Sequence, residues 1–136
     1  MRILFLVLCV ITFGFTPSEA FQPAAGGGSQ KAEQLYRQAM NAYGSAGYQK
    51  AVELTTEAIK ADPKHAKAYT LRGKATMGLG DMEAGTKDLD MAIKLDPTIG
   101  EAYFLRAQMS EIMGDMEGAE KDYKKACANK YSQACK

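Results

Sequence analysis

The sequence predicts an all-α fold built from repeated helical pairs, chiefly because one pattern returns after 34 residues. The motif Ala-Ile-Lys-x-Asp-Pro at 58–63 returns at 92–97, and Gly-Asp-Met-Glu at 80–83 returns at 114–117. Between these turn signals, apolar residues follow helical spacing. A period of this length is typical of stacked supersecondary units, which bury a core only together and present a long surface.

The first helical pair is predicted at 31–45 and 48–61. Its helices carry apolar residues at helical spacing, which are Leu35, Ala39, Ala42 and Tyr43 in the first and Ala51, Val52, Leu54, Ala58 and Ile59 in the second. Ala46-Gly47 separates the two helices. Asp62-Pro63 ends the pair, because the residue before proline disfavours helix and proline itself suits a helix start.

The second pair is predicted at 66–79 and 82–95, and the third at 99–113 and 116–128. Gly80-Asp81 and Gly114-Asp115 join the helices within these pairs. Glycine permits the turn and aspartate can cap the helix that follows. Asp96-Pro97 ends the second pair as Asp62-Pro63 ends the first.

These positions resemble tetratricopeptide repeats, helix-turn-helix units of 34 residues. The resemblance is carried by Tyr69, Gly73, Gly80, Leu89, Ala92 and Pro97, and then by Tyr103, Ala107, Gly114, Ala119, Tyr123 and Ala126. The first unit fits more loosely, with Thr55 where a large apolar residue is usual. The resemblance implies a right-handed superhelical array of about three units, at about 32–65, 66–99 and 100–133, within a domain at 31–136.

The N-terminus has the pattern of an export signal. Met1-Arg2 is followed by an apolar run over 3–15 and by small residues at Ser18-Glu19-Ala20. We therefore expect a signal peptide at 1–20, a mature chain in the periplasm, and a flexible linker at 21–30, which is rich in glycine. An apolar run of about 13 residues is short for a membrane span, so membrane contact is expected only through an uncleaved signal.

The near balance of charges argues against one class of partner. The chain has 17 basic and 16 acidic residues and a net charge of +1, which disfavours nucleic-acid binding.

Cys127-x7-Cys135 resembles the cysteine-paired repeats of the Sel1-like class, and in an exported chain such a pair favours a disulfide. Free thiols, intermolecular pairing and metal binding remain the alternatives.

No catalytic constellation stands out, so we expect no enzyme and no cofactor. His65, the single histidine, follows Asp62-Pro63 with no serine or cysteine partner and is interpreted as an exposed turn residue. Met109, Met113 and Met116 are spaced four and three apart, which suggests soft-metal handling, of copper for example, as the alternative function. Packing between helices is the other interpretation of these methionines.

In tetratricopeptide arrays the first helix of each pair lines a concave groove. Mapped through the resemblance, that groove consists of Tyr36, Met40, Tyr43, Thr70, Lys74, Met77, Phe104, Gln108 and Glu111. Such an aromatic and methionine-rich lining suits a peptide or partner helix held by apolar anchors, although the aromatic residues could instead pack on a neighbouring helix or a second copy. The predicted function is an exported protein-interaction module, a scaffold or accessory subunit in a cell-envelope assembly.

The clamp for C-terminal carboxylates known from this family requires lysine, asparagine and arginine on the concave face. At those positions the chain has Tyr36, Met40 and Glu101. A partial basic contribution is left to Lys74, Arg72 and Arg106.

Overall fold

The computed structural model describes residues 26–135, which form six α-helices and one short 3-10 helix. The elements are α1 (Gly26–Gly44), α2 (Tyr48–Ala61), α3 (Ala66–Gly78), α4 (Met82–Leu95), α5 (Gly100–Met113), α6 (Met116–Ala128) and the 3-10 helix η1 (Ser132–Ala134). Helices α2, α4 and α6 have the bounds that the sequence predicts. Between residues 26 and 135 there is no strand, and no helix there is long and apolar enough to cross a membrane.

The helices pack in chain order as the pairs α1/α2, α3/α4 and α5/α6. Neighbouring pairs stack through α2 against α3 and α4 against α5, while η1 lies on α6. The first helices of the pairs also touch, α1 with α3 and α3 with α5. This all-α helical repeat confirms the predicted fold class, with the first helices aligned along one face.

The turns inside the second and third pairs form as predicted. Gly80 and Gly114 have φ values of 96° and 82°, which only glycine adopts freely. The side chains of Asp81 and Asp115 accept the backbone N–H of the third residue after them and cap α4 and α6. In the first pair it is Ala46 that takes the left-handed conformation, at φ 58°, where hydrogen bonds to the end of α1 hold the turn.

Small residues allow the helices to approach closely. A Cβ atom on Gly73 would lie 2.8 Å from the backbone oxygen of Gly85, so α3 and α4 are in backbone contact there. Leu89 is fully buried and forms the core with Ala92, Ala102 and Leu105. This core joins the second unit to the third, as expected when units cannot close a core alone.

Thr55 occupies the position of Leu89 in the first unit and is also fully buried. Its hydroxyl donates to the backbone oxygens of Ala51 and Val52, at 2.7 and 3.1 Å. Within α2 this hydrogen bonding removes the cost of burying a hydroxyl, which explains how a polar residue fits a core position.

The start of α1 differs from the sequence prediction. The helix begins at Gly26, so the part of the predicted linker at 26–30 is helical. Gly28 makes this packing feasible, because a Cβ atom there would lie 2.7 Å from the oxygen of Ala61 at the end of α2. The predicted signal peptide at 1–20 and the remaining linker positions 21–25 lie outside the described residues.

The prediction that His65 is an exposed turn residue is wrong. Its side chain is 11% exposed and caps α3, with Nδ1 accepting the N–H of Ala68 at 3.1 Å. Nδ1 must therefore be unprotonated, so Nε2 carries the proton and faces Glu33 Oε2 at 3.3 Å. The ring also packs on Tyr36, with 5.2 Å between centroids, so His65 joins the first unit to the second.

The sulfur atoms of Cys127 and Cys135 lie at bonding distance, and the Cα atoms are 4.9 Å apart. This Cα separation falls in the normal range for a disulfide. The pair connects the end of α6 to the residue after η1. The geometry accommodates the predicted bond.

Candidate peptide-binding grooves

Two grooves lie where the sequence predicts one. The first groove is a cavity of about 360 Å³ on the face formed by α1, α3 and the start of α5. It is lined by Tyr36, Met40, Tyr43, Gly44, Lys67, Thr70, Leu71, Lys74, Ile99 and Glu101.

Helix α1 presents Tyr36, Met40 and Tyr43 to the first groove because their spacing places them on one helical face. Ala32 and Ala39, one helical turn before Tyr36 and Tyr43, are fully buried against the rest of the fold. Met40 is 44% exposed, so part of the apolar face of α1 is open to solvent. A partner that covered this face would therefore gain apolar burial.

Aromatic and ionic contacts hold the first groove in shape. The Tyr43 ring packs on Tyr48 with 5.2 Å between centroids, and Lys74 Nζ lies 5.1 Å from the Tyr43 ring centre. Lys74 Nζ also lies 2.7 Å from Glu101 Oε1. Burial acts to lower the pKa of Lys74, but the hydrogen bond and charge of Glu101 outweigh it, so its pKa is raised. Within the groove Lys74 is therefore part of a balanced ion pair and is not a free cation.

Tyr36 supplies a polar group to the same groove. Its pKa is raised, first by burial and then by the negative charges of Glu101 and Glu33. The phenol is therefore neutral at physiological pH and can both donate and accept a hydrogen bond to a ligand backbone.

The second groove is larger, about 890 Å³, and lies between α5, α6 and η1. It is lined by Phe104, Gln108, Glu111, Met116, Ala119, Glu120, Tyr123, Lys124, Cys127, Gln133, Ala134 and Cys135. Phe104 packs between Tyr123 and Tyr131, with centroid distances of 5.7 and 5.0 Å. Burial, then the hydrogen bond from Tyr123 to Glu111 at 2.8 Å, raises the pKa of Tyr123 to about 12.

The structure divides the predicted groove residues between these sites. The residues of α1 with Thr70 and Lys74 line the first groove, and those of α5 line the second. Met77 packs instead against the core cluster of Leu89. Tyr131, after α6, packs on Phe104 of the second groove. Burial and then the negative charge of Glu101, a residue of the first groove, raise the pKa of Tyr131, so its side chain lies between the two grooves.

Several residues at the two grooves were not predicted from the sequence. Lys67 precedes Thr70 and Lys74 by one and two helical turns, so the periodicity of α3 could have indicated it. Gln133, which lines the second groove, and Tyr131, which packs on the lining residue Phe104, follow α6, where helical periodicity ends.

The cations considered for carboxylate binding are already paired. Arg72 binds both oxygens of Asp88, at 2.7 and 2.8 Å. Arg106 binds both oxygens of Asp122, at 2.6 and 2.9 Å, and Asp90 at 2.7 Å. With Lys74 paired to Glu101 as well, these side chains stabilise the helix contacts and leave little charge for a ligand carboxylate.

The methionines of the copper hypothesis do not share one cavity. Met109 and Met113 line a third cavity together with Met82, whereas Met116 lines the second groove. Met109 is 7% exposed and acts as a packing residue. Among residues 26–135 no group of three or more histidine, cysteine, aspartate or glutamate side chains is placed to hold a metal ion.

Comparison with known proteins identifies the repeats. The family model of the tetratricopeptide repeat matches residues 66–99 and 100–132, so the second and third helical pairs are tetratricopeptide repeats. The resemblance of the cysteine pair to Sel1-like repeats stays a prediction. No curated protein matches the chain significantly in sequence.

Solved structures of tetratricopeptide domains share the fold. The first such domain of Spaghetti (RPAP3), bound to the HSP90 peptide SRMEEVD, is 26% identical with a TM-score of 0.70 over 74% of this chain and 80% of that one. The Arabidopsis OM64 domain is 25% identical with a TM-score of 0.73, over 78% and 88%. The TPR2B domain of yeast Sti1, in a complex with pHsp70, is 26% identical with a TM-score of 0.70, over 74% and 81%.

Proposed function

We propose that the chain is an exported protein-interaction module whose first groove binds a peptide or a partner helix. The observation that carries the proposal is the open aromatic and apolar face of Tyr36, Met40 and Tyr43 on α1. A rigid helix presents this face, and such anchors dominate the energetics of protein interfaces. Structures of similar fold and 26% identity contain bound peptides or partners, which supports the same use here.

The proposed ligand differs in charge from the acidic peptide SRMEEVD held by RPAP3. In this chain Lys74 is neutralised by Glu101, and Arg72 and Arg106 are engaged between helices. A ligand carboxylate would have to displace one of these pairs or bind Lys67, which lines the first groove and forms no ion pair among residues 26–135. We therefore expect recognition through one or two large apolar side chains, supplemented by hydrogen bonds to the Tyr36 hydroxyl.

The cellular role follows from the N-terminal pattern. We propose that residues 1–20 are removed on export, and that the mature chain serves as a scaffold or accessory subunit of an envelope assembly. Sequencing the N-terminus of native protein tests this, with Phe21 as the expected first residue. Soluble cytoplasmic protein that retains Met1 would contradict export without affecting the groove.

A photo-cross-linking experiment tests the groove in cells. A benzophenone amino acid replaces Met40 in the full chain, and a second version carries it at Met91, which is 39% exposed on α4 and serves as the matched control. We expect a discrete cross-linked product from position 40 that is absent from position 91. Equal products from both positions, or none from position 40, would contradict binding in the first groove.

A further inference from the structure

A second surface stands out at the edge of the array that carries the turns of the second and third units. Large apolar side chains there are unusually exposed, with Ile112 and Met113 at 69%, Met116 at 63%, Leu79 at 50% and Met82 at 43%. We call these five residues the methionine edge. Met82, Ile112 and Met113 line one cavity there, and Leu79 and Met116 stand at the ends of the same two turns, which occupy equivalent places in adjacent units.

The methionine edge contains a preformed cavity. About 410 Å³ of space lies between the start of α4 and the end of α5, and its lining is mostly apolar. Met82, Met109, Ile112 and Met113 form the apolar walls, and the remaining lining residues are Glu83, Thr86 and Lys87. The volume is large enough for a bulky side chain from a partner. Unbranched methionine side chains adapt readily to such an inserted group.

Carboxylates lie next to the apolar residues at both turns of the methionine edge. Asp81 and Glu83 stand at the start of α4, and Asp115 and Glu117 stand at the start of α6. Lys87, the cation lining the cavity, is bound to Glu83 at 2.7 Å. Glu83 is thereby neutralised, whereas Asp81, Asp115 and Glu117 form no ion pair among residues 26–135, so the edge combines an exposed apolar centre with three carboxylates at the adjoining helix starts.

We propose that the methionine edge binds a basic amphipathic helix of another protein. Such a helix carries an apolar stripe flanked by lysine or arginine, which matches an exposed apolar centre next to carboxylates. A second copy of the chain would bring the same carboxylates against these. An anionic lipid surface would meet the same repulsion.

The proposal is independent of the first groove. The lining of the first groove and the five edge residues share no member. In the first unit the positions of Leu79 and Met82 are held by Ser45 and Tyr48, so the edge is confined to the second and third units. The chain would then hold one partner in its first groove and another at its edge.

The experiment uses the full chain and a defined probe. A fluorescent 18-residue helix of leucine and lysine is titrated with protein, alongside a leucine and glutamate helix of the same pattern. We expect saturable binding of the lysine helix alone, as read by fluorescence anisotropy. Ile112→Ser and Met113→Ser should each weaken it about tenfold, since both residues are interface anchors by this account.

Control variants separate this surface from other sites. Met91→Ser alters an exposed methionine on α4 outside the edge, and Met40→Ala alters the first groove, so both should bind the lysine helix like the wild type. Glu117→Gln should weaken binding and reduce its dependence on salt. Circular dichroism melts verify that the variants remain folded.

Several results would overturn the proposal. These are equal binding of both helices, no binding of the lysine helix, or unchanged binding by Ile112→Ser and Met113→Ser. Sedimentation that shows a dimer lost in Ile112→Ser would assign the edge to a second copy. Binding to phosphatidylcholine vesicles that is lost in the same variant would assign it to a membrane. If only protein lacking residues 1–20 binds the probe, the chain's own N-terminal segment is the occupant.

Discussion

Replacing Arg106 by alanine should destabilise the fold more than removal of any exposed charge. Arg106 on α5 is 28% exposed and forms two hydrogen bonds to Asp122 on α6, whose side chain is 8% exposed. Losing the arginine leaves Asp122 charged, nearly buried and without its bidentate partner. Breaking a buried pair costs about 3 to 5 kcal/mol, and the partial exposure of Arg106 lowers the expected cost to about 2 to 4 kcal/mol.

Urea unfolding followed by circular dichroism measures this cost. Arg37→Ala is the matched control, because its pair with Glu33 is 72% and 44% exposed and should contribute about 0.5 kcal/mol or less. The loss of unfolding free energy in the double variant Arg106→Ala, Asp122→Ala should be smaller than the summed losses of the two single variants, by about 1 to 3 kcal/mol. Equal costs for Arg106→Ala and Arg37→Ala, or strict additivity in the double variant, would refute the reasoning.

Three further predictions concern packing, ionisation and the cysteines. Gly73→Ala should lower stability by about 1 to 3 kcal/mol because its Cβ meets the backbone of α4, whereas Gly44→Ala, with open space around it, should be neutral or stabilising in the same melts. Tyr123, with its pKa raised to about 12, should ionise late in an ultraviolet titration. The native state then keeps a proton that the unfolded chain loses near pH 10, so its stabilising contribution should fall between about pH 10 and 12, and ionisation near pH 10 would contradict the burial of this phenol. Mass spectrometry of non-reduced protein should find Cys127 bonded to Cys135. Cys127→Ser should lower the free energy of unfolding by about 2 to 3 kcal/mol. Two free thiols in native material would refute the bond.

The fold was predictable because repetition and periodicity both constrain it. A 34-residue period fixes which helices are equivalent, and glycine with aspartate marks the turns. Helix α1 was predicted to start at 31, since nothing in a run of glycines indicates helix. Its early start depends on contact with the end of α2, a tertiary effect that local propensity does not contain. The capping role of His65 is likewise set by its position between α1 and α3.

The candidate site was predictable only as far as the repeat register reaches. The register places Tyr36, Met40 and Tyr43 on the inner face, and they do line one groove. It also places Phe104 there, but Tyr131, which follows α6 at the end of the third repeat, folds back and packs on it. The sequence contains no repeat signal for that return, so the division into two grooves could not be anticipated.

The central claim, that the first groove binds peptides through apolar anchors, is tested most directly by calorimetry with a peptide selected from a display library against the full chain. The account predicts that Met40→Ala and Tyr43→Ala weaken its binding by about 2 kcal/mol each, the scale of an interface hot spot, while Met91→Ala binds like the wild type. Melting temperatures should stay close to that of the wild type for Met40→Ala, whose side chain is largely exposed. Unchanged affinity in both groove variants, measured on folded protein, would contradict the claim and place recognition elsewhere on the molecule.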